Sequence, residues 1–80
     1  MEQETKLDFK EWSKKYPEAK LINYESNIFG IVSIYSFRLG YFVVVDDQYV
    51  VTAKEKFKDI EVEAKAIWQK KKERYNENIR

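Results

Sequence analysis

Carboxylates and lysines are the residues of this chain that could support catalysis. Asp46 and Asp47 follow an apolar run, and Glu63-Ala64-Lys65 comes later, an Asp…Glu-x-Lys order that could hold a divalent metal for phosphodiester hydrolysis. That chemistry expects Glu-x-Lys on a strand, whereas here it falls within a predicted helix. The chain also has no His, no Cys and only 2 Gly, which excludes histidine acid–base chemistry, thiol nucleophiles, Cys/His zinc sites and Gly-rich phosphate loops. We therefore expect a protein that is not an enzyme and that holds no metal and no cofactor.

A basic stretch in the second half of the chain could bind phosphates. Between Ala64 and Arg74, five cations accompany one carboxylate, and Trp68 and Tyr75 lie beside them for stacking on bases. The same pattern is typical of a solvated helix end, where cations complement the helix dipole. The net charge of the whole chain is only +1, so nucleic-acid binding is the alternative function and not the leading one. The residues that would carry it are Lys65, Lys70, Lys71, Lys72 and Arg74.

The predicted strands are apolar on both sides. Side chains alternate along a strand, so Phe29, Ile31, Tyr35 and Phe37 should point one way and Ile28, Val32 and Ile34 the other. One face can take both predicted helices, and we expect the other face to be open. An open apolar face is typical of a protein contact or an oligomer interface, although neighbouring side chains could also half-bury it. The residues expected in this contact are Tyr24, Phe29, Tyr35, Phe37 and Tyr41.

A short helix is predicted before the strands. Asp8 and Glu11 have the spacing of a capping box, and Phe9, Trp12 and Tyr16 recur on one helical face. Pro17 disfavours helix at the residue before it, so the helix should cover about residues 9–15.

Strands and turns alternate over residues 20–52. The predicted strands are Leu21–Glu25, Ile28–Phe37 and Tyr41–Val45, and Tyr49–Val51 is either a short fourth strand or an extension of the third past a bulge. The predicted turns are Glu25-Ser26-Asn27, Arg38-Leu39-Gly40 and Asp46-Asp47-Gln48. Connections this short predict an antiparallel meander.

A long helix should end the domain. Thr52 and Glu55 again have capping-box spacing, and apolar residues follow at steps of three, four and seven up to Tyr75. The helix should run from residue 53 to about 76, some 36 Å, and should overhang the sheet at its carboxyl end. The predicted fold is an α+β two-layer sandwich of one helix, a three- or four-stranded antiparallel meander and a long C-terminal helix. It forms a single domain over residues 1–80, with 1–6 and about 77–80 frayed.

This order of helix, strands and helix resembles the double-stranded RNA-binding domain over about residues 8–76. That family contacts RNA through a Gly-Pro-x-His loop, where this chain has Ser26-Asn27-Ile28-Phe29. It also places a Lys-Lys-x-Ala-Lys cluster at its second helix, where Glu55 interrupts the cations of Thr52-Ala53-Lys54-Glu55-Lys56. The resemblance therefore implies a layout and no RNA site.

Size and composition favour an interaction protein. The chain has 80 residues, with 15 Lys and Arg against 14 Asp and Glu, and its 13 aromatic residues must supply much of the core. No apolar run approaches the ~18 residues of a membrane span, and the acidic Met1-Glu2-Gln3-Glu4 is unlike a signal peptide, so we expect a cytoplasmic protein without membrane contact. Our hypothesis is a non-catalytic, small protein-binding inhibitor or adaptor of the phage or mobile-element accessory (anti-defence) type. It would act by steric occlusion, with a protein or a second copy of itself as partner.

Overall fold

The computed structural model of the protein describes residues 7–38 and 40–78, without the side chain of Asn78. Residues 1–6, Leu39 and residues 79–80 lie outside this description. The fraying predicted for residues 1–6 and 79–80 therefore falls outside the described residues. The elements in chain order are β1 (Leu7–Asp8), α1 (Phe9–Lys15), β2 (Lys20–Asn27), β3 (Gly30–Phe37), β4 (Tyr41–Asp46), β5 (Tyr49–Lys54) and α2 (Phe57–Asn78). The strands form one antiparallel sheet in the order β1-β5-β4-β3-β2.

The predicted α+β class and element order are confirmed, with five strands in place of three or four. The additional strand is β1, in which Leu7 pairs with Val50 and Asp8 with Tyr49. This pairing also changes how α1 begins, because the backbone N–H of Phe9 donates to Gln48 O at 2.8 Å. Asp8 makes no side-chain capping bond, so the helix start depends on the strand before it and not on the expected capping box.

The first hairpin turns later than predicted. Glu25, Ser26 and Asn27 belong to β2, and the turn is Ile28-Phe29, closed by the pairing of Asn27 with Gly30. The Asn27 side chain accepts a hydrogen bond from the Phe29 N–H at 2.8 Å, and Gly30 has a φ of +136°. Two apolar residues can therefore occupy the turn because the residues on either side supply its geometry.

The last helix starts four residues later than expected, at Phe57 in place of residue 53. Thr52, Ala53 and Lys54 pair with Val44, Val43 and Phe42, so strand pairing overrides the capping-box spacing. The helix covers 22 residues, about 33 Å. Its contact with the sheet side of the molecule continues to Tyr75, whose ring lies 5.2 Å from that of Phe29, so only its last turn extends further.

The two helices lie on opposite faces of the sheet, and not on one face as the sequence suggested. Trp12 of α1 packs with Phe37 and Val43, whereas Ile60 and Ile67 of α2 pack with Val32, Ile34 and Val44. Neighbouring residues of one strand point to opposite faces, so Val43 and Val44 belong to different layers of core. Both faces of β3 and β4 are apolar because each is covered. No helix in the described part of the chain is long and apolar enough to cross a membrane.

Candidate functional site

The five aromatic residues expected on one open face occupy three places. Tyr35 and Phe37 lie under α1, with the Tyr35 ring 4.9 Å from Phe9 and Phe37 only 8% exposed. Tyr41 is 37% exposed, and its ring is 6.0 Å from that of Phe37. Phe29 packs against α2, and Tyr24 is 57% exposed on the outermost strand, β2. Tyr35, Phe37 and Tyr41 thus share one face, from which Phe29 is separated.

The expected open face is covered in part, because α1 has only seven residues. Beside the helix the face remains accessible as a groove with a volume of about 410 Å³. Its floor consists of buried or half-buried apolar side chains, namely Trp12, Phe37, Val43 and Val50. Its walls are formed by Leu7, Tyr16, Tyr41 and Ala53. Leu7 is 42% exposed, so the walls present apolar surface to a partner.

Two cations line this groove, Lys15 at the end of α1 and Arg38 in the hairpin between β3 and β4. Lys15 and Arg38 line it together with Thr52, and no acidic residue does so in the part of the chain that the structure describes. The Arg38 guanidinium lies 5.8 Å from the centre of the Tyr16 ring, which holds this cation close to the apolar wall. The nearby Glu55 accepts a hydrogen bond from the Tyr41 hydroxyl at 3.0 Å, and this bond raises the pKa of Tyr41. The groove is therefore apolar along its floor and has two cations among its lining residues, with the Glu55 carboxylate bound to the Tyr41 hydroxyl beside it.

The basic stretch of α2 contains one cation that belongs to the interior. Lys71 is 6% exposed, and its ammonium lies 2.6 Å from Asp46 Oδ1 and 3.0 Å from Asp47 Oδ2. Asp46 Oδ1 is buried and accepts no hydrogen bond of regular geometry, so the Lys71 charge is what compensates it. Asp47 also accepts a hydrogen bond from the Ile31 N–H at 3.0 Å. This ion-pair cluster joins α2 to the β4–β5 turn, and Lys71 is not available to a phosphate.

The cluster links stability to pH in two directions. Burial by itself lowers the pKa of Lys71, but the close contacts with the Asp46 and Asp47 carboxylates and their negative charges outweigh it, and the net pKa is raised. Burial raises the pKa of Asp47, but the bonds from Lys71 and Ile31 outweigh it, and the net pKa is lowered. The Lys71 contribution to stability is therefore lost as pH rises through its raised pKa, and the Asp47 contribution is lost as pH falls through its lowered pKa.

The other four candidate phosphate-binding residues are exposed but do not form one patch. At 100° per residue, Lys65 and Lys72 lie on one side of α2, and Lys70 and Arg74 lie on the other. The buried stripe that contains Ile67 separates the two pairs on the sheet side of the helix. A single phosphate backbone following one side of the helix would meet only two of these four cations.

The residues considered for metal-dependent chemistry are dispersed. Asp46 and Asp47 face Lys71, while Glu63 on α2 is 3.9 Å from Lys54 on β5. Among residues 7–38 and 40–78, no three side chains of the metal-ligating types come together.

The groove cations Lys15 and Arg38 were missed by sequence reasoning, as was the internal role of Lys71. For Lys71 a signal was present, because it lies four residues after Ile67 and seven after Ala64, on the apolar stripe of α2. A lone cation on such a stripe needs buried counter-ions, and Asp46-Asp47 is the acidic pair next to an apolar strand. For the groove no local signal existed, because its lining residues come from β1, α1, β3, β4 and β5.

Comparison of the chain with protein-family models, curated proteins and solved structures finds no match.

Proposed function

We propose that this protein is a non-catalytic protein-binding module, and that the groove beside α1 receives an acidic segment of the partner carrying apolar side chains. The observation that supports the proposal is the combination of an apolar floor with two cations, and no acidic side chain, among the described residues that line the groove. Mixed surfaces of this kind suit peptide segments that anchor an aliphatic or aromatic side chain and orient it through a carboxylate.

The apolar part of the groove would supply most of the affinity. Leu7 and Tyr41 are 42% and 37% exposed, and the Tyr41 ring lies 6.0 Å from that of the buried Phe37. Burying one leucine or phenylalanine side chain of a partner here would contribute roughly 1.5–3 kcal/mol. One or two anchors of this size, reduced by the entropy of binding, correspond to a complex of modest strength.

The charged part of the groove would select the partner. Lys15 and Arg38 favour a carboxylate next to the anchor and disfavour a basic segment. Arg38 is supported by Tyr16 at 5.8 Å, so its guanidinium is partly ordered before a ligand arrives. By covering part of its partner's surface, a domain of this size would act by steric occlusion, as a protein inhibitor or adaptor does.

The experiment is a selection of random 12-residue peptides displayed on phage against the immobilised protein. We expect the enriched peptides to combine Asp or Glu with Leu, Phe, Tyr or Trp, and to bind in solution with micromolar affinity. Two groove variants, Ala53→Arg and Arg38→Glu, should each weaken the selected peptides at least tenfold, the first by filling the groove and the second by reversing its charge.

Matched variants on the opposite face of the molecule serve as controls. Ala66→Arg and Lys58→Glu make the same chemical changes at exposed positions of α2 and should leave binding unchanged. Enrichment of basic peptides, or equal binding to the groove variants and the controls, would contradict the proposal. Binding lost only on charge reversal at Lys70 and Lys72 would favour the basic helix instead.

A further inference from the structure

A second surface is formed by β2, the outermost strand of the sheet. All eight residues from Lys20 to Asn27 are exposed, and they include the apolar side chains of Leu21 (49%), Ile22 (45%) and Tyr24 (57%). The edge of such a strand presents backbone N–H and C=O groups that a further strand can pair with. About 26 Å of edge is available for this pairing.

A bulge determines which side chains of β2 share a face. Leu21 pairs with Tyr35 and Tyr24 with Ser33, so a register shift at Ile22 brings Leu21 and Tyr24 to the face that carries α1. Lys20 pairs with Ser36 and Glu25 with Val32, which places both of these side chains on the α2 face. In a regular strand, residues three positions apart would point to opposite faces.

This arrangement makes β2 complementary to itself. When two copies run antiparallel with the two-fold axis between Ile22 and Asn23, Lys20 of each copy lies opposite Glu25 of the other. Leu21 of each copy lies opposite Tyr24 of the other. Residues opposite one another in an antiparallel pair must share a face, and the bulge satisfies this condition for both pairs. The result is two ion pairs on one face and two apolar pairs on the other.

We infer that the protein forms a two-fold symmetric dimer through β2, in the register that pairs Lys20 with Glu25 of the second copy. The two sheets then become one sheet of ten strands. A two-fold axis normal to the sheet keeps the α1 faces on the same side, so both grooves open in the same direction. The dimer could engage two acidic segments of one partner and gain affinity from the second.

The test is a charge exchange followed by sedimentation equilibrium. The unaltered protein should be a dimer, and Lys20→Glu or Glu25→Lys should each raise the dimer dissociation constant by roughly tenfold, because each turns two attractions into two repulsions. The double variant should restore the dimer. An equimolar mixture of the two single variants should also dimerise, because every pair in the mixed dimer is again opposite in charge.

Cysteine pairing tests the register independently, since the chain contains no cysteine of its own. Leu21→Cys mixed with Tyr24→Cys should form a mixed disulfide on mild oxidation, and neither should do so efficiently alone. Val62→Cys, at a 64% exposed position of α2, is the control for random collision.

A monomer at millimolar concentration, or a dimer indifferent to both charge reversals and to cysteine placement, would overturn this inference. The dimer and the groove are tested separately, because peptide binding by a monomer would leave the proposed function standing.

Discussion

Replacing Lys71 by methionine tests how the fold holds its long helix. The substitution keeps an apolar stem of similar length and removes the charge that lies 2.6 Å from Asp46 and 3.0 Å from Asp47. Breaking a fully buried ion pair by removing one partner costs about 3–5 kcal/mol. Here the side chains of Asp46 and Asp47 are 22% and 51% exposed, so water can solvate them in part. We therefore expect a loss of about 2 kcal/mol in the free energy of unfolding.

The assay is urea denaturation at pH 7, monitored by tryptophan fluorescence. With a denaturant slope of about 1 kcal/mol per molar for so small a domain, the midpoint should fall by about 2 M. Lys72→Met is the matched control, since Lys72 is the next residue and is exposed, and it should change stability by less than about 0.5 kcal/mol.

Equal midpoints for Lys71→Met and Lys72→Met would refute the assignment of Lys71 to the interior. The pairing itself is tested by adding Asp46→Asn. If the carboxylate left behind causes the loss, the double variant Asp46→Asn, Lys71→Met should recover part of it, with a coupling energy above about 0.5 kcal/mol.

Three further predictions concern the same fold. The stability difference between the unaltered protein and Lys71→Met should be largest between about pH 4 and pH 10 and should shrink at pH 2 and pH 12, because the pKa of Asp47 is lowered and that of Lys71 is raised; urea midpoints at these pH values measure it. Gly30→Ala should cost about 2 kcal/mol or more in the same titration, because Gly30 has a φ of +136° and its added Cβ would lie 2.6 Å from Lys71 Nζ. Ile60→Val, at a fully buried site, should cost about 1 kcal/mol, and Val62→Ala, at a 64% exposed site of the same helix, less than about 0.5 kcal/mol; similar thermal midpoints for these two variants would contradict the packing of α2.

Local patterns in the sequence predict which helices and strands form better than they predict the residues at which each one begins and ends. The helical spacing of Phe9, Trp12 and Tyr16 predicts α1 with its observed bounds, because those residues share one face and Pro17 follows. The predicted start of α2 was wrong. Thr52 and Glu55 have the spacing of a helix cap, but cross-strand pairing with β4 keeps Ala53 and Lys54 extended. Pairing partners distant in the chain decide such boundaries, and single residues do not reveal them.

The placement of the helices depends on contacts of the same long range. The two-residue pairing of β1 with β5 directs α1 to the face of Phe37 and Val43. Nothing in residues 7–15 specifies that face. The sequence correctly indicated that both faces of β3 and β4 are apolar. The prediction that one face is open was made because both helices were assigned to the other face. The groove is what remains of that expected surface.

The most direct test of the groove is a titration of the isotope-labelled protein with a peptide from the display selection, followed by two-dimensional amide NMR. We expect the largest shifts at Tyr41, Val50 and Ala53, with small shifts at Lys65 and Lys72 on α2. Large shifts confined to α2, or no saturable shifts at the groove, would contradict the claim that this surface binds a partner.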